Sequence, residues 1–486
     1  MGAPPGHGPS IFCRLPWSGS KDSTFIASTH ESPTQTVEDA EESGQESSVV
    51  ASETDAPPDG GYGWVCAVAA AVVNAHSWGF NSAYAVFLAY YLKHGTFEGA
   101  TKLQYAFVGS LSLTTMFTIS PLATISMQRY GVRKTMFVGV ICETASLICA
   151  SFAKQIWHLF LTQGILFGLG MGLLFIPVAS VVPQWFTTKR SLASGISLSG
   201  AGLGGLIYSL AASAMIHNIG LSWAFRVLGL LAFSINTICV LLIRDRNKPD
   251  KTKKITMDLA IFKSRDFDLL IGFSFFTILG YFILVYSLAD YGQRIGLTSS
   301  QASLVSGILN LGQAIGRPLI GYCSDSVGRI NIAGITTFIA GVLTLAVWVN
   351  SESYGLLMFY AIAEGLVAGN MWATIAPLVA EILGVEKVAH GMNLVWLSIV
   401  VPSTFSEPIA LALTNATGEY LGAQLFAGFM YIAASHMNRC LVLRSSVNPN
   451  MAIAFRCYTF IVMIILVWSR LSEHDGTHVF RLTKVP

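Results

Sequence analysis

Residues 157–181 read WHLFLTQGILFGLGMGLLFIPVASV, a stretch without a single Asp, Glu, Lys or Arg. About 20 mainly apolar residues are enough for a helix to cross the hydrocarbon core of a bilayer. The stretch is therefore predicted to be a membrane-spanning helix. The rest of the chain repeats its pattern.

The composition agrees with a membrane location. Of the 486 residues, 53% are hydrophobic and 12% are charged, and the mean hydropathy is +0.58. An average soluble domain carries about 25% charged residues, so most of this chain must face something other than water. The net charge of +2 gives no case for a nucleic-acid partner. The cysteines form no CxxC pair or metal-ligand cluster, and we expect no metal and no cofactor.

Long apolar runs separated by short polar joints predict an all-α, polytopic membrane protein of about twelve spans. The spans are expected near residues 65–91, 104–125, 135–152, 157–181, 192–214, 223–243, 267–289, 301–322, 332–349, 355–380, 392–413 and 421–442. The Ser-, Glu- and Pro-rich start of the chain cannot bury enough apolar surface to fold. The predicted domains are a disordered tail (1–58), an N-terminal six-helix bundle (59–243), a linker (244–266), a C-terminal six-helix bundle (267–443) and a C-terminal tail (444–486).

The basic residues predict the orientation, because loops on the cytoplasmic side are enriched in Lys and Arg. With a cytoplasmic N-terminus, the outside loops carry only Lys93, Lys102, Lys154 and Arg294. The inside loops carry Arg129, Arg133, Lys134, Lys189, Arg190, Arg244, Arg246, Lys248, Lys251, Lys253, Lys254, Lys263, Arg265, Arg329 and Lys387. We predict a multi-pass protein of the plasma membrane. The apolar run 451–468 fits either a thirteenth span, an interfacial helix or a faulty gene model.

Two features recur at an offset of about 200 residues and suggest an internal repeat. The turn 130–133 (YGVR) is repeated at 327–329 (VGR), and Pro177 is matched by Pro377. Paired six-helix repeats around a midplane site are typical of alternating-access transporters.

Several motifs resemble the monocarboxylate transporters of the major facilitator superfamily, and their fungal branch in particular. They are DGGYGW at 59–64, GLGMG at 168–172, PQWF at 183–186 and RSLASG at 190–195. The last of these is followed by Gly200, Gly202, Gly204 and Gly205. A P-loop is excluded because no Lys-Ser/Thr follows these glycines; small residues let helices pack closely. The resemblance covers about residues 59–443 and implies two six-helix bundles working by alternating access.

The segment GYCSDSVGR at 321–329 is similar to the superfamily's loop motif, in which an acid and an Arg hold the inner gate closed. The resemblance implies gating roles for Asp325 and Arg329. In the first half, Arg129 is retained but Gln128 stands at the acid's position. The alternative is an ordinary polar turn with snorkelling Arg side chains.

Substrate-binding candidates lie in the first, eighth and tenth spans: Asn81, Ser82, Asn310, Gln313, Arg317 and Trp372. Arg317 is suited to bind an anionic group; its alternative role is to support the gate. The resemblance implies that lactate carriers have a Lys where this chain has Ser82, and an acid where it has Gln313. This chain lacks both charged groups. The departure argues against lactate or pyruvate. Tyr281, Tyr286 and Trp372 are candidates for packing against a flat ring, although aromatics in spans more often pack helices.

Three ionisable residues within the spans are proton-coupling candidates: His76, Glu143 and Glu364. Such residues are costly in a membrane and are functional hypotheses by default. Each of them can also be a neutral packing residue.

The sequence predicts a secondary active transporter of a small organic solute, with protons as a further partner if transport is coupled. The substrate is either a carboxylate or a larger ring-bearing metabolite. Export of a secondary metabolite and a non-transporting membrane sensor are the alternatives. No catalytic constellation stands out, and an enzyme is not expected.

Overall fold

The structure, a computed structural model, describes residues 59–246, 259–384 and 387–444. The predicted N-terminal tail, most of the linker and the apolar run 451–468 lie outside the described residues. No β-strand occurs in the described part of the chain, so the all-α prediction is confirmed.

The described helices form twelve rods, numbered α1 to α12 in chain order, that follow the predicted spans. Several rods contain a short break or a turn of another helix type. Their bounds are α1 Tyr62–His94, α2 Lys102–Thr118 with Ser120–Tyr130, α3 Val132–Ala150, α4 Ile156–Trp185, α5 Arg190–Ile219, α6 Leu221–Leu242, α7 Arg265–Arg294, α8 Ser299–Val327, α9 Arg329–Trp348, α10 Tyr354–Leu383, α11 Val388–Thr417 and α12 Leu421–Arg444. A short 3₁₀ helix, Leu259–Lys263, precedes α7.

Hydropathy alone identifies fewer spans than the twelve rods. Among the described residues, seven helices are long and apolar enough to cross a membrane, or eight if the two parts of α2, bent by 46°, count as one span. Helix α1 is not among them, since it carries polar residues such as Asn74, His76 and Asn81. These side chains are buried against other helices. A membrane protein can place polar groups there because they face the protein interior rather than lipid.

Glycines let α5 lie directly against two helices. A Cβ atom at Gly200 or Gly204 would stand 1.8 Å or 2.0 Å from the carbonyl oxygen of Ala71 or Ala75 in α1. On another face of α5, a Cβ at Gly202 would stand 2.4 Å from the Asn310 carbonyl oxygen in α8. The glycine-rich segment therefore packs helices, as predicted, and α5 links the N-terminal half (α1–α6) to the C-terminal half (α7–α12).

The fold also has two distinguishable ends. The α4–α5 and α8–α9 connections lie at one end, which we call the Asp325 face. Helix α7 ends at the other, which we call the Asp290 face. Since α1 begins beside the α4–α5 connection, the start of the described chain belongs to the Asp325 face.

We predict that Gly204→Ala lowers the melting temperature of the purified protein, because the added methyl group forces α1 and α5 apart. Overpacking of this kind costs about 1–3 kcal/mol. Gly355→Ala is the matched control, since a Cβ there meets no atom within 4 Å. Equal melting temperatures for the two variants would contradict the direct contact between α1 and α5.

Candidate functional site

A cavity lies between the two halves, within the part of the helices nearer the Asp325 face. It is lined by Asn74, Phe175, Val178, Ala179, Val182, Ser194, Ser197, Leu198, Trp372, Ile375, Ala376, Met392 and Trp396. These residues come from α1, α4, α5, α10 and α11, so both halves form its wall. Apart from Asn74 and two serines, the lining is apolar.

Aromatic rings surround one end of this cavity. The rings of Trp372 and Trp396 are stacked, with centroids 6.1 Å apart and an interplanar angle of 20°. Phe117 of α2 stacks on Trp396 at 5.7 Å, and Trp78 of α1 meets Trp372 edge-on at 5.2 Å. Phe175 of α4 lies edge-on to Trp396 at 5.5 Å. We call these five rings the aromatic cage; only Trp372 among them is a candidate from the sequence.

Two polar atoms of the cavity wall have no hydrogen-bond partner among the described residues. Asn74 donates from Nδ2 to the Ser197 carbonyl oxygen at 2.9 Å, but its Oδ1 is buried and unpaired. The Ser194 hydroxyl is also buried and unpaired. Buried polar groups normally have partners, so the two atoms are suited to bind a ligand. Neither residue was predicted, because isolated Asn and Ser in an apolar run give no pattern.

Arg317 lies behind the cavity wall in a hydrogen-bond network that pairs its two terminal nitrogens, while its Nε and the Nε2 of Gln313 are buried without a partner among the described residues. One of its terminal nitrogens donates to the carbonyl oxygen of cavity-lining Leu198 at 2.6 Å. The other donates to Gln313 Oε1 at 2.6 Å and to the Tyr281 hydroxyl at 3.2 Å. Tyr281 in turn donates to Gln313 at 2.8 Å. The structure thus joins Arg317, Gln313 and Tyr281, and the bond to Leu198 connects the two halves.

The other polar candidates lie apart from this network. Asn81 donates to the Ser112 hydroxyl at 2.9 Å and accepts from the Tyr286 hydroxyl at 3.2 Å, which links α1 to α2 and α7. Its neighbour Ser82 is only partly buried and does not line the cavity. Asn310 is buried where α8 meets Gly205 and donates to its own helix at 3.1 Å.

The three predicted proton carriers are buried within single halves, away from the cavity lining. His76 Nδ1 lies 2.7 Å from the carbonyl oxygen of Val72 in the same helix. Glu143 accepts from Asn236 at 3.1 Å, between α3 and α6. Neither carboxylate oxygen of Glu364 has a partner in the described part of the chain. A further carboxyl group, Glu407 of α11, was missed, although its position in a predicted span should have drawn attention to it.

The amino end of α5 receives a carboxylate from each half. Asp325 accepts from the backbone N–H groups of Ser191 at 3.3 Å and Leu192 at 3.0 Å, and it forms a salt bridge of 3.2 Å with Arg329. Arg329 also donates to the Ser191 hydroxyl at 3.2 Å. A carboxylate at a helix N-terminus is stabilised by the free N–H groups and the helix dipole. Asp325 and Arg329 therefore form a bonded junction between the halves.

Asp59 of the DGGYGW motif binds one turn earlier. It accepts from the backbone N–H groups of Thr187 at 2.5 Å and Thr188 at 3.0 Å, and from both hydroxyls. Desolvation opposes its ionisation, but these hydrogen bonds prevail and lower the pKa of Asp59 to about 2. The carboxylate is therefore charged at every physiological pH. The motif fixes the start of α1 to the α4–α5 connection.

The structure does not bring Arg129 to this junction. Its side chain is exposed at the end of α2. In the corresponding place of the other half, Thr124 of α2 donates to Asn393 of α11 at 3.0 Å. A neutral hydrogen bond replaces the acid there, because Gln128 stands where the repeat has Asp325. The two contacts between the halves at the Asp325 face are thus chemically different.

We predict that Asp325→Ala lowers the melting temperature of the purified protein by an amount corresponding to about 1–2 kcal/mol, because two N–H groups of α5 and Arg329 lose their acceptor. Arg129→Ala should leave the melting temperature unchanged. An effect of Arg129→Ala as large as that of Asp325→Ala would contradict this assignment of the gate.

Twelve helical rods around a cavity shared by two halves define a membrane transporter, and comparisons with known proteins agree. The family model of the Major Facilitator Superfamily matches residues 66–287 and 269–456. The chain belongs to this superfamily. It is 33% identical to the probable transporter MCH2 of Saccharomyces cerevisiae over 78% of this chain and 82% of that protein.

Other relatives are named as efflux proteins. The chain is 28% identical to the Fujikurins efflux protein of Gibberella fujikuroi, over 85% of this chain and 89% of that protein. It is 27% identical to the Aspyridones efflux protein apdF of Emericella nidulans, over 79% of this chain and 80% of that protein. Among solved structures, a variant of the Escherichia coli fucose:proton symporter FucP has the same fold, with a TM-score of 0.58. The identity is 14%, over 78% of this chain and 98% of that one. The chain is a multi-pass membrane transporter.

Proposed function

We propose that this transporter moves a ring-bearing organic solute through the central cavity by alternating access, and that it works as an exporter. The observation that carries the proposal is the aromatic cage at the cavity. Its five rings belong to five different helices, three from the N-terminal half and two from the C-terminal half, so a bound ring would contact both halves at once.

The cage presents aromatic faces to a flat ring, but the cavity beside it has a volume of only about 20 Å³ and must widen to admit one. Trp372, Trp396 and Phe117 are nearly parallel, with their three ring centroids 5.7–6.2 Å apart. A flat solute ring could replace one of these contacts. Each aromatic pair contributes about 0.5–1.5 kcal/mol beyond the burial of its area. The rings also stabilise the empty protein, so a solute must compete with these internal contacts.

The polar part of the solute would bind at the same wall. Unpaired Asn74 Oδ1 and Ser194 Oγ offer one strict acceptor and one hydroxyl. A solute that presents a hydroxyl or an amide N–H beside its ring would satisfy Asn74, which now has an unpaired buried acceptor. This arrangement favours a solute with a hydrogen-bond donor over a purely hydrophobic one.

Small carboxylates fit this site less well. Arg317 is the charged group nearest the cavity wall, but its two terminal nitrogens already donate to Leu198, Gln313 and Tyr281. An anionic solute that binds the terminal nitrogen facing Leu198 would have to take the place of the Leu198 carbonyl group, although the Nε atom of Arg317 has no partner among the described residues. That exchange would break a bond between α5 and α8, and it offers a physical route from binding of an anion to movement of the halves.

Direction, orientation and coupling are further parts of the proposal. Export is favoured because two relatives bear names of efflux proteins. We propose that the protein lies in the plasma membrane. The Asp325 face and the N-terminus would then be on the cytoplasmic side, because Lys and Arg are concentrated there. The roles of His76, Glu143 and Glu364 in proton coupling, and that of Ser82 at the substrate, stay predictions.

The test is transport of a labelled panel by purified protein in liposomes, with and without a pH gradient. The panel contains lactate, a dicarboxylate and flat ring-bearing compounds with and without a hydroxyl group. We expect a ring-bearing compound to move. For that compound, Trp396→Ala should raise the concentration that gives half-maximal transport about tenfold, which corresponds to about 1.4 kcal/mol. Asn74→Ala should raise this concentration for hydroxylated compounds only.

Matched variants separate binding from folding. Trp223→Ala is the control for the tryptophan, since its side chain is exposed and far from the cage. Arg317→Lys and Arg317→Gln distinguish an anion site from a structural link. Transport of lactate alone, abolished by Arg317→Gln and unaffected by Trp396→Ala, would refute the ring-bearing substrate and favour a small carboxylate.

A further inference from the structure

We propose that Glu407 of α11 is a proton-binding site, and that its protonation controls the closure of the two halves at the Asp290 face. The inference deepens the proposed function and rests on transport being coupled to protons. The three proton-coupling candidates from the sequence, His76, Glu143 and Glu364, are instead buried within single halves.

Glu407 lies between α11 and α7. Its Oε2 atom is 3.3 Å from the hydroxyl of Ser287, which is buried in α7. The side chain is partly buried, so it is neither sealed in the core nor free in solvent. A carboxylate in this position accepts the Ser287 hydrogen, whereas a protonated carboxyl can also donate one.

A polar route connects Glu407 to the Asp290 face. Asp290 lies about one turn beyond Ser287 in α7, and its side chain is 55% exposed. Tyr420 donates a short hydrogen bond to Asp290, and Arg294 forms a salt bridge of 3.4 Å with it. Arg294 also lies over the Tyr420 ring, 4.9 Å from its centroid. Protons from solvent therefore reach a cluster of titratable groups directly above Glu407.

Tyr286, the residue before Ser287 in α7, joins the two halves. Tyr286 donates to Asn81 of α1 at 3.2 Å, and Asn81 donates to Ser112 of α2 at 2.9 Å. A second bond near this level links Thr114 of α2 to Thr404 of α11, three residues before Glu407, at 2.5 Å. Glu407 is thus next to two hydrogen bonds that hold the halves together.

Within the described part of the chain, the charged and titratable groups near Glu407 come from α7 and from the start of α12. Helix α7 brings Tyr286, Asp290 and Arg294, and the start of α12 brings Tyr420. Helix α2 also packs on α11. Among the described side chains near its start, the titratable group is Tyr105. Its ring stacks on Tyr91 of α1. Asp290 disfavours a second negative charge nearby, while Arg294 is already paired with Asp290.

The proposed step moves one proton. Water at the Asp290 face supplies it, and the Glu407 carboxylate binds it to become a neutral acid; release returns the proton to water and restores the carboxylate. The neutral acid removes the repulsion from Asp290 and lets α7 and α11, both in the C-terminal half, stay close, which keeps Tyr286 within reach of Asn81 in the N-terminal half. Ionisation favours hydration of Glu407, which separates the helices and weakens the Tyr286–Asn81 bond.

The first experiment needs no substrate. Wild-type protein in liposomes is treated with dicyclohexylcarbodiimide, an apolar reagent that modifies protonated carboxyl groups, and the modified residues are mapped by peptide mass spectrometry. We expect modification of Glu407 that falls about tenfold from acid to alkaline pH. Ser287→Ala should shift the pH at which modification of Glu407 declines, because the Ser287 hydroxyl bonds to the carboxylate. Ser406→Ala is the matched control, because the Ser406 hydroxyl bonds to its own helix. Absence of modification at Glu407, or modification independent of pH, would overturn the proposal.

The second experiment connects the site to transport. Glu407→Gln protein is placed in liposomes that contain a pH-sensitive dye, and the panel of solutes used for the proposed function is added. We expect solute exchange to persist and solute-linked proton movement to be lost. Proton movement equal to that of wild type would refute the proposal. If wild-type protein moves no solute of the panel, the proposed substrate class fails, while the labelling result still decides whether Glu407 binds a proton.

Discussion

Direct contact between helix backbones at α5 is the constraint on which the rest of this protein depends. Gly200 and Gly204 admit α1 on one face, and Gly195 and Gly202 admit α8 on another. Backbone oxygens occupy the space that side chains would fill, so the contact tolerates almost no added volume. Helix α5 is therefore a shared wall between the halves, and its residues Ser194, Ser197 and Leu198 form part of the cavity.

The same helix also concentrates the electrostatics of the Asp325 face. Its free N–H groups attract Asp325 from the C-terminal half, while Asp59 holds the connection that precedes it. Toward the Asp290 face the halves meet through neutral hydrogen bonds, such as the one between Tyr286 and Asn81. A hydrogen bond contributes about 0.5–1.5 kcal/mol net. Contacts of this size can be made and broken during a transport cycle, whereas the glycine contacts of α5 with α1 stay within one half.

Patterns along the chain predicted the fold and drew attention to the contact of Asp325 and Arg329 with α5. Long apolar runs predicted the helices because each must cover its own backbone polar groups in lipid. Asp325 was found because an acid and an Arg stand in a recognisable turn. Arg129 stands in the equivalent turn but remains exposed, since Gln128 provides no charge to draw the helices of that half into the same junction.

The cavity could not be predicted in this way. Trp372, Trp396, Phe117, Trp78 and Phe175 come from five helices, and aromatic residues are common in spans for packing alone. Nothing in the sequence indicates that their rings meet. Asn74 and Ser194 were overlooked because a polar residue in an apolar helix becomes informative only when its partners, or their absence, are known.

The sequence by itself thus determined the number and order of the helices, the close packing of α5 and the acid at its amino end, because these depend on local composition and short spacings. Only the tertiary structure decided which rings form the cage, that Arg317 is already bonded to Leu198, and that Glu407 lies beside Ser287 and Asp290. These relations depend on how helices distant in the chain are rotated about their axes, and that rotation is set by the packing of the whole molecule.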